Sequence, residues 1–229
     1  MSDDDQGWAD RRIDAIAADR GFLLPHYGLL GLVSPALLDG IDDAYRQLML
    51  TPHRLNRHAR QFVLLTEIAA LDLGTPAHHV GYFKEAGGTD AEVEAALRLA
   101  ALAVGSNRFG FGGEAWGNRL GGYDRGRAYR TAVERMAEGV APWLAELALG
   151  AAQTCLQHWW QVEEHIRAAY RLGVDERKLG EALSLSIWPS NVSFLVKTCQ
   201  IWRGLIAKGE VAASAPFRRW AADARQGGY

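Results

Sequence analysis

Cysteine is scarce in this chain: Cys155 and Cys199 are its two cysteines, and they are far apart. Two such residues make neither a disulfide framework nor a C-x-x-C redox pair, and a reducing cytoplasm is the expected setting. No apolar run reaches the roughly 18 residues that a membrane span needs, so no membrane partner is expected. The first residues lack a basic stretch followed by an apolar one, so a secretory signal is not expected either. The formal net charge is only −2, which gives no electrostatic footprint for nucleic acid. No compact H-x-x-x-H or H-x-x-E-H pattern occurs, and neither a metal nor another cofactor is expected.

What is present is apolar and punctuated. Hydrophobic residues make up 48% and charged residues 23% of the 229 positions, a composition that packs a core. The periodicity and the stop signals read as an all-α chain. Ser34-Pro35 and Thr75-Pro76 are helix openings, with a capping hydroxyl and a proline in the first turn. Thr89 with Glu92 forms a capping box. Gly87-Gly88 ends the helix before it. A long apolar helix is expected from Arg57 to Leu73, helices from about Ala128 to Ala148 with a break between Gly139 and Pro142, and others over Glu176 to Ile187 and Asn191 to Lys208. Residues 105–127, GSNRFGFGGEAWGNRLGGYDRGR, are too rich in glycine, arginine and aromatics for a passive turn. They read as a linker or a lid.

The stretch from Glu146 to His165, ELALGAAQTCLQHWWQVEEH, gathers a carboxylate, an amide and two imidazoles. If it is helical from about Cys155, His158, Gln161 and His165 share one stripe, and Glu146 faces it from the preceding helix. Imidazoles in an apolar surround suit proton transfer near neutral pH. His158 is the expected general acid/base. His165 would orient it or share its proton, and Glu146 would set tautomer and charge. The plainer alternative is a hydrogen-bonded polar stripe between helices. Cys155 reads as a buried, inert thiol.

An internal repeat appears at an offset of 86 residues: His79 aligns with His165, Gly87 with Gly173, and Leu97 with Leu183. By that offset Arg60 takes the place of Glu146, and Asp72 and Thr75 the places of His158 and Gln161. The organisation expected is an N-terminal helical extension over 1–34, a degenerate first repeat over 35–106 and the linker or lid over 107–128. A second repeat carrying the site follows over 129–208, and then a tail over 209–229.

These spacings resemble the carboxymuconolactone decarboxylase / alkylhydroperoxidase D-like superfamily. Its peroxidase branch carries a Glu, a C-x-x-C pair twelve residues on, and a His four residues further. Glu146 and His165 match the Glu and the His; His158 and Gln161 stand where the cysteines would be. The resemblance implies tandem helical repeats and a homo-oligomer, as a trimer or a dimer. Without the cysteine pair, it does not carry over the thiol peroxidase mechanism. What it implies instead is a lyase that needs no cofactor, decarboxylating a lactone or aromatic-derived carboxylate. His158 would protonate the carbon left behind. A hydrolase or isomerase using the same side chains, or a non-enzymatic binding protein, stands as the alternative. Within 108–130 Arg119 is the expected fork for the substrate's carboxylate. Trp159 and Trp188 would line an apolar pocket, and His79 could line the same one.

Overall fold

The computed structural model describes residues 3–226, and among them every regular element is helical. No described helix is long and apolar enough to cross a membrane. The chain forms two compact units, 1–51 and 52–229. The helix that opens at Pro35 therefore belongs with the N-terminal segment.

The first unit holds α1 (Asp3–Arg20), α2 (Pro25–Val33), α3 (Pro35–Tyr45) and a π-helical turn, Arg46–Leu50. The stretch after Pro25 is helical, and that proline occupies its first turn, where no N–H is needed. Ile16, Tyr27 and Leu38 form the core. Asp42 is fully buried there and accepts hydrogen bonds from Arg12, Arg20 and Arg46. Asp39 and Asp19 share the charge of Arg12 and Arg46, so the cluster carries three cations on three anions.

The second unit is built around α9 (Pro142–Cys155), in which every residue from Leu144 to Cys155 is buried. A helix apolar on all sides has to lie inside its domain. It packs on α4 (Arg57–Ala70), α6 (Asp90–Gly105), α10 (Trp159–Arg171) and α11 (Glu176–Leu185). Around these stand α5 (His78–Glu85), α7 (Asn107–Trp116), α8 (Arg125–Met136), α12 (Val192–Ala207) and α13 (Ala215–Ala222). The presumed linker is thus helical over α7. Its glycines serve close packing: a Cβ on Gly110 would meet the Trp160 indole nitrogen at 3.4 Å, and one on Gly112 the Tyr123 hydroxyl at 3.2 Å.

The focal stretch is not one helix. The His158 amide bonds the Gln153 carbonyl at 3.0 Å and the Gln157 amide bonds that of Thr154 at 3.1 Å, with Gln157 left-handed at φ 59°. This is the helix-terminating pair of bonds that usually recruits glycine. His158 is the residue before α10, so it does not share a helical stripe with Gln161 and His165.

The same turn ends α4, where Leu73 bonds Ile68, Asp72 bonds Ala69, and Asp72 has φ 55°. These two turns are 85 residues apart, as are the preceding helices. The next pair of helix ends, with left-handed Gly87 and Gly173, is 86 apart, and so are the starts of α6 and α11. One residue is inserted between Gln157 and Gly173 relative to the earlier segment. The backbone counterpart of Glu146 is therefore Gln61, not Arg60, and that of His158 is Leu73, not Asp72. Arg60 instead pairs with Glu181.

Where α4 meets α9, Glu67 is fully buried and neither carboxylate oxygen has a hydrogen bond of ordinary length. The Cys155 thiol is its polar neighbour. Burial pushes the carboxyl well above its ordinary value, and burial with Glu67 beside it does the same to the thiol. A carboxyl raised on folding stabilises the fold below its unfolded value, and that contribution is lost as pH rises towards the folded one. Glu67→Gln keeps the shape without the ionisation. Urea unfolding should find the variant more stable than wild type at pH 8, with the gap closing towards pH 4; a pH-independent gap would refute a protonated Glu67.

Candidate active site

Glu146 on α9 and His165 on α10 meet because the turn at Gln157 folds α10 back along α9. Gly150 permits the close approach, since a Cβ there would stand 3.4 Å from that of His165. His165 is fully buried; its Nδ1–H donates to Glu146 Oε2 at 2.6 Å. Arg130 Nη1 donates to Glu146 Oε1 at 2.8 Å. The Tyr129 hydroxyl lies 2.7 Å from His165 Nε2 and donates to it. Both imidazole nitrogens are thereby used.

The chain of bonds continues away from His165. Gln153 Nε2 donates to the Tyr129 hydroxyl at 3.0 Å and to Ser106 Oγ at 3.2 Å. Gln153 Oε1 accepts from His158 Nδ1 at 2.8 Å. Gln161, fully buried, donates through Nε2 to Ser106 Oγ and Asn107 Oδ1, each at 2.8 Å. The Ser106 hydroxyl donates to the Ala103 carbonyl at 2.8 Å. With Nδ1–H given to Gln153, the basic lone pair of His158 is on Nε2. His158 is half-buried, whereas Tyr129, Gln153, Gln161, His165 and Ser106 are buried.

The electrostatics follow from burial and pairing. Burial opposes ionisation of Glu146, but His165 and Arg130 outweigh it and hold the carboxyl below its ordinary value. Burial lowers His165 despite Glu146. The pair is thus a carboxylate and a neutral imidazole, with Arg130 as counter-charge. Burial raises the Tyr129 phenol far above its ordinary value, so it stays a donor. Burial lowers His158 as well, offset in part by the Ala103 carbonyl.

Four expected residues, Glu146, His158, Gln161 and His165, thus lie in one network. Arg119, expected as the fork for a substrate carboxylate, is exposed in a 3-10 turn, Gly117–Arg119, and the arginine in the network is Arg130, on Glu146. His79 sits in a pair of its own, its Nδ1 2.7 Å from Gln61 Oε1, and burial with His78 alongside lowers it to about 3. Since Gln61 is the backbone counterpart of Glu146, this repeats the α9–α10 contact in uncharged form. Trp159 and Trp188 are half-buried at the start of α10 and in the turn after α11; Trp160 is the indole that packs on Tyr129, edge-on at 5.3 Å.

Sequence reasoning missed Ser106, Asn107, Tyr129, Arg130 and Gln153. Gln153 left a signal, a polar side chain inside the apolar run of α9. The others left none, because neighbours such as Tyr129 and Arg130 share a site only once α8 is docked. Among the described residues no group of three or more His, Cys, Asp or Glu is placed to hold a metal. No family model, curated protein or solved structure gives a match to this chain.

Replacing Glu146 by Gln leaves Arg130 without its anion in a mostly buried place. The variant should lose about 1–3 kcal/mol at neutral pH, measured by urea unfolding. A carboxyl depressed on folding stabilises above its unfolded value and loses that contribution as pH falls through the folded one. The difference should therefore shrink on acidification; one that grew would show that Glu146 is not an anion in the fold.

Proposed function

We propose that this chain is an acid–base enzyme of the carboxymuconolactone decarboxylase-like kind, a lyase that decarboxylates a lactone or aromatic-derived carboxylate. The observation that carries the reading is the pairing of a sealed Glu146–His165–Tyr129 unit with a half-buried His158 of fixed tautomer. A general acid/base needs one ring nitrogen held and the other turned to the reacting group. Here Gln153 holds Nδ1 of His158, and Nε2 exchanges the proton. The sealed unit fixes the shape and charge around it. The repeated turns after α4 and α9 support reading the two segments as fused copies, and homo-oligomeric assembly and a cytoplasmic setting belong to the same proposal.

Thiol chemistry is disfavoured on physical grounds. A thiol peroxidase attacks as thiolate, and burial holds both Cys155 and Cys199 above the ordinary thiol value.

His158 is depressed by burial, which makes its neutral form the main one at pH 7. This favours a second reading, an isomerase or hydrolase in which His158 first removes a proton. The pH profile separates the two. If His158 delivers the proton after CO2 leaves, kcat/KM falls as pH rises through a value below 6.5; if it acts as base, kcat/KM rises over the same range.

The test is a panel of lactone and aromatic carboxylates assayed for CO2 release. His158→Gln should lower kcat/KM by about 10²–10⁴-fold, with unchanged far-UV circular dichroism. Turnover that survives His158→Gln, or a panel that yields neither CO2 nor an isomerised or hydrolysed product, would remove the assignment.

A further inference from the structure

Beside the network, a cleft of about 490 Å³ opens between the segment after α7 and the outer face of α10, a volume suited to a small organic ligand. One wall is acidic and the other presents a guanidinium. On one, the Arg167 guanidinium is met by Glu163 at 3.0 Å, Glu164 at 3.1 Å and Glu210 at 2.6 Å. One cation among three carboxylates leaves that cluster negative, and Glu163, Glu164 and Arg167 of it line the cleft. On the other, Arg125 lies over the Trp160 indole, 5.1 Å from the ring centroid. Its carboxylate partner, Glu114, is 3.7 Å away and largely exposed, beyond hydrogen-bond length. Asp124, which lines the cleft beside Arg125, caps α8 through Oδ1, accepting from the Arg127 amide at 2.7 Å.

A guanidinium over an aromatic face is attracted by that face and keeps N–H donors available for an anion. Arg125, with Glu114 beyond hydrogen-bond length, is thus placed to take a carboxylate. The opposite wall has anions to spare for an ammonium group. We infer that this cleft binds a small zwitterion bearing a carboxylate and an amine, with Arg125 on the carboxylate and Glu163 and Glu164 on the amine. A simple acid would face Glu163 and Glu164 with no cation of its own, and a simple amine would leave the Arg125 guanidinium without a carboxylate at hydrogen-bond length. The inference stands on the cleft and is independent of the lyase reading. Trp160 joins the two places, since the ring under Arg125 packs on the Tyr129 that bonds His165.

The experiment is isothermal titration of the full chain with three matched probes at millimolar concentration: leucine, its deaminated form 4-methylpentanoate, and its decarboxylated form 3-methylbutylamine. Leucine should bind about tenfold or more tighter than either, the usual effect of one lost charge-assisted contact. Arg125→Ala should weaken leucine binding by a similar factor, and so should the Glu163→Gln, Glu164→Gln double variant. These positions are partly or largely exposed, so circular dichroism and melting should match wild type. If 3-methylbutylamine binds as tightly as leucine, the cleft is a site for plain cations and the inference fails. If 4-methylpentanoate does so, it is a site for plain anions and fails equally. Leucine giving no heat also overturns it. None of these outcomes bears on the CO2 assay with His158 variants.

Discussion

The candidate site depends on a constraint of a single turn. Gln157 stands in the left-handed region, which costs a residue with a Cβ about 1–2 kcal/mol, and two backbone bonds hold it there. Because the chain reverses at that residue, α10 runs back along α9, and Glu146 and His165 come within 2.6 Å although nineteen residues separate them. Because α10 begins only at Trp159, His158 is left off the helix, half-buried, with Gln153 fixing its ring. A continuous helix through Cys155 and His165 would have placed both histidines on one face and given neither its present partner.

Around that turn, burial and pairing set the protonation states. Arg130 makes the Glu146 carboxylate tolerable in an apolar interior, and the carboxylate selects the His165 tautomer whose Nε2 receives Tyr129. Each group in the row satisfies the next, as a buried polar network must if it is not to weaken the core. The Gln61–His79 contact shows the uncharged version of the arrangement. It has a neutral amide in place of the carboxylate, and there burial lowers the imidazole to about 3. Glu67, nearby on α4, shows the third possibility, a carboxyl with no hydrogen-bonded cation, pushed well above its ordinary value by burial.

The segment between α6 and α8 joins the network to the surface. Its glycines, which in sequence look like flexibility, are used for contact. Small residues at Gly110 and Gly112 let Trp160 and Tyr123 lie directly on the α7 backbone. This brings Ser106 and Asn107, at the two ends of the α6–α7 junction, onto Gln161. It also brings Arg125 over the face of Trp160. The arginines of the segment consequently divide, Arg125 facing the cleft and Arg119 remaining exposed, a difference that no spacing in the sequence records.

Local chemistry was enough to settle part of this protein. Caps such as Thr89 with Glu92, the prolines that open helices, the apolar periodicity and the glycine stops define an all-α chain, because they act within one or two turns of where they occur. The spacing of Glu146 and His165 could be read as well, since it depends on two helices and one short connection. Three things required the tertiary structure. The left-handed turn at Gln157 carries no glycine to announce it. The one-residue insertion that pairs Gln61, not Arg60, with the position of Glu146 is invisible to a fixed offset. The partners Arg130, Tyr129, Gln153 and Ser106 arrive from elements up to 55 residues from the side chains they meet. Their contacts are decided by how α6, α8 and α9 pack, and packing is a property of whole helix faces, whereas a sequence motif encodes only what neighbouring residues can do for one another.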